Sequence, residues 1–297
     1  MGWMMELREY QKQAQETDQA PTKESEGIMV PLLGLAGEVG TLLTDYKKKL
    51  RDRETYTLFK ENIAEELGDI LWYVANLATK FDLDLDQIAR DNLQKTRARW
   101  PRTRGAEPLP YVLLDEGFPP AEQFPRVFSV RFTQEQLGPS TTVIMTWQGE
   151  HIGSRLTDNA YADDGYRFHD VFHLSYAALL GWSPVTRKLL NRKRRSNSKV
   201  DEVEDGGRAG VTEEGISAYV FAYAKDHDFL ERVTSLDDEV LRTIKRLTSS
   251  FEVRGRSPAE WEQAILAGYE VWRQMRQHEG GVVHLDLLKR TFTYSMT

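Results

Sequence analysis

The chain is predicted to be an all-α N-terminal domain of four helices followed by an α+β, mostly helical C-terminal domain with a short β hairpin or small sheet. Three observations carry this. Residues 6 to 100 read as one amphipathic helical segment after another. Residues 101–125 hold six of the eleven prolines, a density no helix tolerates. Beyond them, runs rich in β-branched and aromatic residues precede a second series of helical patterns. The expected boundaries are 1–104 for the first domain, 105–125 for a proline-rich linker and 126–297 for the second domain.

In order, "LREYQKQAQETD", "PLLGLAGEVGTLLTDYKKKL", "TLFKENIAEELGDILWYVANLATKF" and "DLDQIARDNLQKTRARW" are the four helices. Pro31 suits the first turn of the second, and Asp84 is placed to cap the fourth. Short connections between them suggest a compact bundle. After the linker, "RVFSVRFTQ" and "TTVIMTWQGEHIG" read as strands, while four later stretches, beginning with "YRFHDVFHLSYAALLGW", read as helices. The polar segment from Asn191 to Gly210 reads as an exposed loop.

Composition narrows the function classes. The 297 residues carry a net charge of −7, which argues against nucleic acid as a general partner. The absence of cysteine excludes disulfides, thiolate metal sites and a cysteine nucleophile. The start lacks the apolar core of a signal peptide, and no apolar run has the length of a membrane span, so a cytoplasmic protein without a membrane partner is expected. Seven Lys or Arg lie between Arg187 and Lys199, but "DEVED" follows at once, the pattern of a self-neutralising surface loop.

The acids of the N-terminal helices raise the chemical question. At about 100° per residue, Ile63, Leu67, Ile70, Leu71, Val74 and Leu77 form one stripe of the third helix, expected to be its buried face. Glu66 and Asp69 flank that stripe one turn apart, whereas Glu65 points away. On the second helix Leu32, Leu35, Ala36, Val39, Leu42, Leu43 and Tyr46 form the stripe, with Glu38 at its edge and Asp45 two turns on. Packed face to face, the two helices would bring Glu38 near Glu66 and Asp69. Several carboxylates from different elements are what a hard cation such as Mg²⁺ requires. Taken singly, such acids are more often the solvated flank of an amphipathic helix.

The stretches "GLAGEVGTLL", "EELGDILWYVANLA" and "LDLDQIARDNLQKTRARW", in this order and spacing, resemble the MazG-like all-α nucleotide pyrophosphohydrolases over roughly residues 6 to 100. The resemblance implies hydrolysis of a nucleoside triphosphate, NTP or dNTP, to monophosphate and pyrophosphate. It also implies Mg²⁺, or Mn²⁺ in its place, as cofactor and a homodimer or homotetramer as the assembly. It assigns Glu38, Glu66 and Asp69 as catalytic metal ligands, and Asn92 and Lys95 as contacts to metal and phosphates. One position departs from the pattern. Thr41 stands where the family's E-x-x-E motif has its second acid. Three carboxylates would then suffice, or Asp45 or Glu65 would compensate, or the site would be a weakened nucleotide sensor. Asp45 lies about 10 Å along the helix axis from Glu38, a poor direct replacement. Trp72, Tyr73 and Trp3 are candidates to stack on a base.

In the second half, His169 and His173 are one turn apart in "YRFHDVFHLSYAALLGW", a helix apolar enough to be buried. Two buried imidazoles need partners. They are hydrogen-bonded core residues or ligands of a transition metal, with the third ligand from Glu213 or Glu214, preferably Glu214. The competing reading makes Thr212–Glu213–Glu214 a helix start. The C-terminal domain is thus expected to add specificity, regulation or a second activity, or to hold the main site.

Overall fold

The computed structural model describes residues 5–99, 112–138 and 140–296. The chain forms two compact units, Met1–Arg97 and Ala98–Thr297.

The first unit contains α1 (Leu7–Glu16), α2 (Ser25–Asp52), α3 (Phe59–Lys80) and α4 (Leu85–Arg99), the last of these ending just beyond it. Packing centres on α3, which lies along α2 on one side and meets α1 on another. Asp84 caps α4 as expected, its Oδ1 accepting from the backbone N–H groups of Asp86 and Gln87 at 2.9 and 3.2 Å. Pro31 does not start α2. The helix begins at Ser25, which leaves the proline buried inside it and costs one backbone hydrogen bond.

The expected buried stripes are a correction. Leu43 is 61% and Leu67 52% exposed, and Leu32, Val39, Tyr46 and Leu71 are exposed with them. The unit's own buried core consists of Ala14, Ala75, Ala78 and Leu85. Two long helices present more apolar surface than one short α1 can cover. Within Ser25–Thr55 the most apolar 18 residues reach a mean hydropathy of 1.5, a weak span-like signal that the sequence reading did not register. In the structure α2 packs along α3.

The second unit is a five-stranded antiparallel sheet with helices. The strands are β1 (Val127–Leu137), β2 (Ser140–Trp147), β3 (Glu150–Leu156), β4 (Gly280–Asp286) and β5 (Thr291–Ser295), in the spatial order β3-β2-β1-β4-β5. Alternation puts Phe128, Val130 and Phe132 of β1 into the core. Gln148 and Gly149, both at positive φ, make the two-residue turn that splits the expected second strand into β2 and β3. The helices are α5 (Asp170–Leu180), α6 (Pro184–Leu189), α7 (Ser198–Val203), α8 (Gly207–Lys225), α9 (Asp238–Leu247) and α10 (Pro258–His278). Helix α10 packs against α5, β4 and β5. Trp182, Trp261 and Trp272 are fully buried in this core.

Two further expectations change here. The described part of the linker, from residue 112, is built into the second unit: Phe124 belongs to its core and Asp115 is buried. Nor is 191–210 an exposed loop. It contains α7 and the buried Arg194, whose guanidinium pairs with Asp205 at 2.8 Å and Glu252 at 2.6 Å. Arg187 joins the same network through Asp115 at 3.0 Å and Asp205 at 3.6 Å. Charges cannot be buried unpaired, and here the arginines of the basic run meet Asp205 of the adjacent acidic run together with Asp115 and Glu252 from elsewhere in the chain.

Candidate metal centres

In the first unit, α2 and α3 bring Glu38 and Glu66 together, close enough for their carboxyl groups to share a hydrogen bond. The Glu66 carboxyl is pushed above the usual carboxylate range by desolvation, then by the Glu38 contact and the charges of Glu38, Asp45 and Asp69. Its Oε2 is shielded from solvent and has no hydrogen-bond partner. Asp69 is exposed, and its field also reaches Tyr10 of α1, whose pKa is raised mainly by burial. The Glu38–Glu66 pair, with an orphaned buried oxygen, is a donor set that could hold a hard divalent cation, with the exposed Asp69 one turn along α3.

The remaining first-unit residues divide clearly. Asp45 is buried and committed to Lys48 at 2.7 Å, a bond that, with Tyr56 and Asn62, holds its carboxyl below the usual range. It acts on Glu66 through its field and is not positioned as a free ligand. Glu65 is exposed. Thr41 Oγ1 donates back to Gly37 O at 3.3 Å within its own helix. Asn92 and Lys95 are exposed on α4, which packs only slightly on α2 and α3, so the single chain does not bring them to the acids. Trp72 donates to Thr17 Oγ1 at 2.8 Å and Tyr73 covers Gly34, so both rings are used in packing. Trp3 lies outside the described residues.

The second unit gathers a different donor set. Gly165, in the left-handed region at φ 81°, turns the chain into Tyr166–Phe168 and on to His169 at the head of α5. Trp272 Nε1 fixes that turn by donating to Gly165 O at 3.0 Å. Tyr166 stacks flat on His169, with ring centroids 4.4 Å apart. The donor atoms of His169, Asp170 and His173 lie within 4.8 Å of one another, all on buried residues. Both glutamates come from α8. The helix starts at Gly207, so residues 212–214 are mid-helix and not a helix start. Glu213 is buried in the stripe Ala209, Ile216, Val220 and Ala224, a position periodicity reserves for apolar residues. Its Oε1 lies 2.9 Å from His173 Nδ1, and Glu214 Oε2 lies 3.3 Å from His173 Nε2. Burial opposes charge on His173, yet the Glu213 carboxylate, helped by Glu214 and Asp170, raises it to about 10.

Sequence reasoning offered Glu213 as an alternative to Glu214 in front of the imidazoles, not as the carboxylate behind His173, and did not name Asp170 as a ligand. The acid inside the apolar stripe of α8 was the available signal for Glu213, and Asp170 had only its place beside His169.

Comparison with known proteins agrees with the first unit's geometry. A MazG nucleotide pyrophosphohydrolase domain is matched over residues 31–103 and a MazG C-terminal domain over residues 110–297. The Gene 37 protein of Mycobacterium phage L5 is 39% identical over 77 residues, 25% of this chain and 67% of that protein. No solved structure matches. With the C-terminal match alone spanning more than half of it, the chain belongs to the MazG family, a nucleotide pyrophosphohydrolase domain followed by the MazG C-terminal domain.

Proposed function

We propose that the first unit hydrolyses a nucleoside triphosphate, NTP or dNTP, to the monophosphate and pyrophosphate in a Mg²⁺-dependent reaction in the cytoplasm. The observation that carries this is the meeting of Glu38 and Glu66 across α2 and α3, with Glu66 Oε2 shielded and unpartnered and Asp69 one turn away. Glu38, Glu66 and Asp69 would hold the cation. Bound there, Mg²⁺ neutralises polyphosphate charge and acts as a Lewis acid. Without a cation, the same acids repel the triphosphate, so binding and chemistry depend on their being neutralised. Asp45 adds negative potential from behind while staying tied to Lys48.

The working form is an oligomer, a homodimer or homotetramer. Leu32, Leu33, Leu43 and Leu50 of α2 and Leu67 and Leu71 of α3 are left exposed, apolar side chains that a second copy would cover. Pairing would also offer Asn92 and Lys95 of a second copy a route to the phosphates.

The test is pyrophosphate release from a panel of NTPs and dNTPs with Mg²⁺ and Mn²⁺. Glu66→Gln should abolish release, and a variant with undiminished turnover would overturn the assignment. A second reading is favoured by Thr41, whose hydroxyl is turned to its own helix: a nucleotide sensor with weakened catalysis. A sensor would bind nucleotide and release no pyrophosphate.

A further inference from the structure

We propose that the second unit holds a separate transition-metal site built from His169, His173, Asp170 and Glu214. Hydrogen bonds at the two Nδ1 atoms fix which way each imidazole faces. His169 Nδ1 lies 2.9 Å from Tyr166 O. A carbonyl oxygen only accepts, so Nδ1 carries the hydrogen and Nε2 keeps its lone pair. His173 Nδ1 lies 2.9 Å from Glu213 Oε1, an acceptor already drawing on Ser183 Oγ at 2.6 Å, while Glu213 Oε2 takes Val185 N–H at 2.9 Å. Here too Nδ1 carries a hydrogen, and a cation arriving at Nε2 displaces the proton that the surrounding carboxylates favour there. The imidazole is thereby turned so that Nε2 points at the remaining acids. A carboxylate or carbonyl behind a histidine is how metal-binding imidazoles are oriented and made more basic.

The Nε2 atoms face acids at metal-bridging separations. His173 Nε2 is buried and has no hydrogen-bond partner. It stands 3.3 Å from Glu214 Oε2 and 4.0 Å from Asp170 Oδ1, while His169 Nε2 stands 3.8 Å from Asp170 Oδ1. Two donors about 2.0–2.1 Å from one tetrahedral ion are roughly 3.3 Å apart. The His173–Glu214 pair is at that spacing, the two histidine–Asp170 pairs are at 3.8 and 4.0 Å, and the His169, Asp170 and His173 donors all lie within 4.8 Å of one another. Two imidazoles with one or two carboxylates select zinc, iron, manganese or cobalt over Mg²⁺. The Glu214 side chain is 47% exposed, which opens one flank to solvent and a further ligand.

The site is tested on the full chain, purified without chelator and dialysed against metal-depleted buffer. Elemental analysis should find one equivalent of a transition metal per chain, and Co²⁺ added to stripped protein should give the visible spectrum of a nitrogen-and-oxygen-ligated ion. Glu214→Gln at the exposed rim and His169→Gln at the edge of the buried cluster should lower affinity by at least tenfold with the circular dichroism of wild type. Glu66→Gln combined with Asp69→Asn should leave this metal in place, which separates failure here from failure of the N-terminal assignment. A wild-type chain that takes up none of Zn²⁺, Mn²⁺, Fe²⁺ or Co²⁺, or Glu214 and His169 variants that bind them as wild type does, would overturn the proposal.

Discussion

Glu213→Gln removes one buried charge with almost no change of shape, and its cost can be worked from three distances. Glu213 Oε1 accepts from His173 Nδ1 at 2.9 Å and Ser183 Oγ at 2.6 Å, and Oε2 from Val185 N at 2.9 Å. Glutamine offers one accepting oxygen. If that oxygen keeps His173 and Ser183, the amide NH₂ faces the Val185 N–H and leaves a part-buried donor unpaired, at about 1–3 kcal/mol. The surviving bonds also lose charge assistance, which roughly doubles such bonds, so the total is about 2–4 kcal/mol. For a unit of this size each kcal/mol moves the melting point by about 2–4 °C, giving a fall of roughly 4–16 °C. Because the same carboxylate orients His173, affinity for zinc should drop about 10- to 100-fold. Differential scanning calorimetry of the full chain, with and without added Zn²⁺, reads both effects. A variant melting within about 1 °C of wild type and stabilised equally by Zn²⁺ would show that Glu213 neither holds the α5–α8 junction nor positions His173.

Three further outcomes are expected. Burial disfavours the charge on Asp115, but the Phe124 N–H, Arg126 and Arg187 outweigh it and hold its carboxyl below the usual range. Its stabilisation is therefore complete above the unfolded value near pH 4 and is lost as pH falls through the lower folded value. Asp115→Asn should cost about 3–5 kcal/mol at neutral pH and flatten the acid limb of a stability-versus-pH curve measured by urea unfolding. Leu43→Glu or Leu67→Glu should lower the mass seen by light scattering with helix content unchanged; an unaltered mass would remove that face from the interface. Thr41→Glu supplies a fourth acid one turn from Glu38, and calorimetric titration should show tighter Mg²⁺ binding.

One helix period relates sequence to face, so Glu66 and Asp69, three apart, had to share a side of α3, and Glu38 had to lie at the edge of the α2 stripe. The same periodicity overreached on burial. It marks Leu43 and Leu67 as facing a partner but does not say whether the partner lies in the same chain, and α1 is too short to cover them. In the second unit, strands β4 and β5 escaped notice because β4 pairs with β1 across some 150 residues and β5 pairs in turn with β4. The basic run around Arg194 is neutralised by the adjacent acids as expected, through Asp205 and Asp201, but read as surface because Asp115 and Glu252, which complete the buried network, lie far off in the chain.

By itself, then, the sequence determined the helical character of each half, the shared face of Glu66 and Asp69 and the one-turn spacing of His169 and His173, all consequences of local geometry. Only the tertiary structure decided that Glu38 reaches Glu66 and that Glu213 stands behind His173 while Glu214 stands before it. Which side of an imidazole is hydrogen-bonded and which is left open depends on groups about 40 residues away, and backbone periodicity carries no record of them.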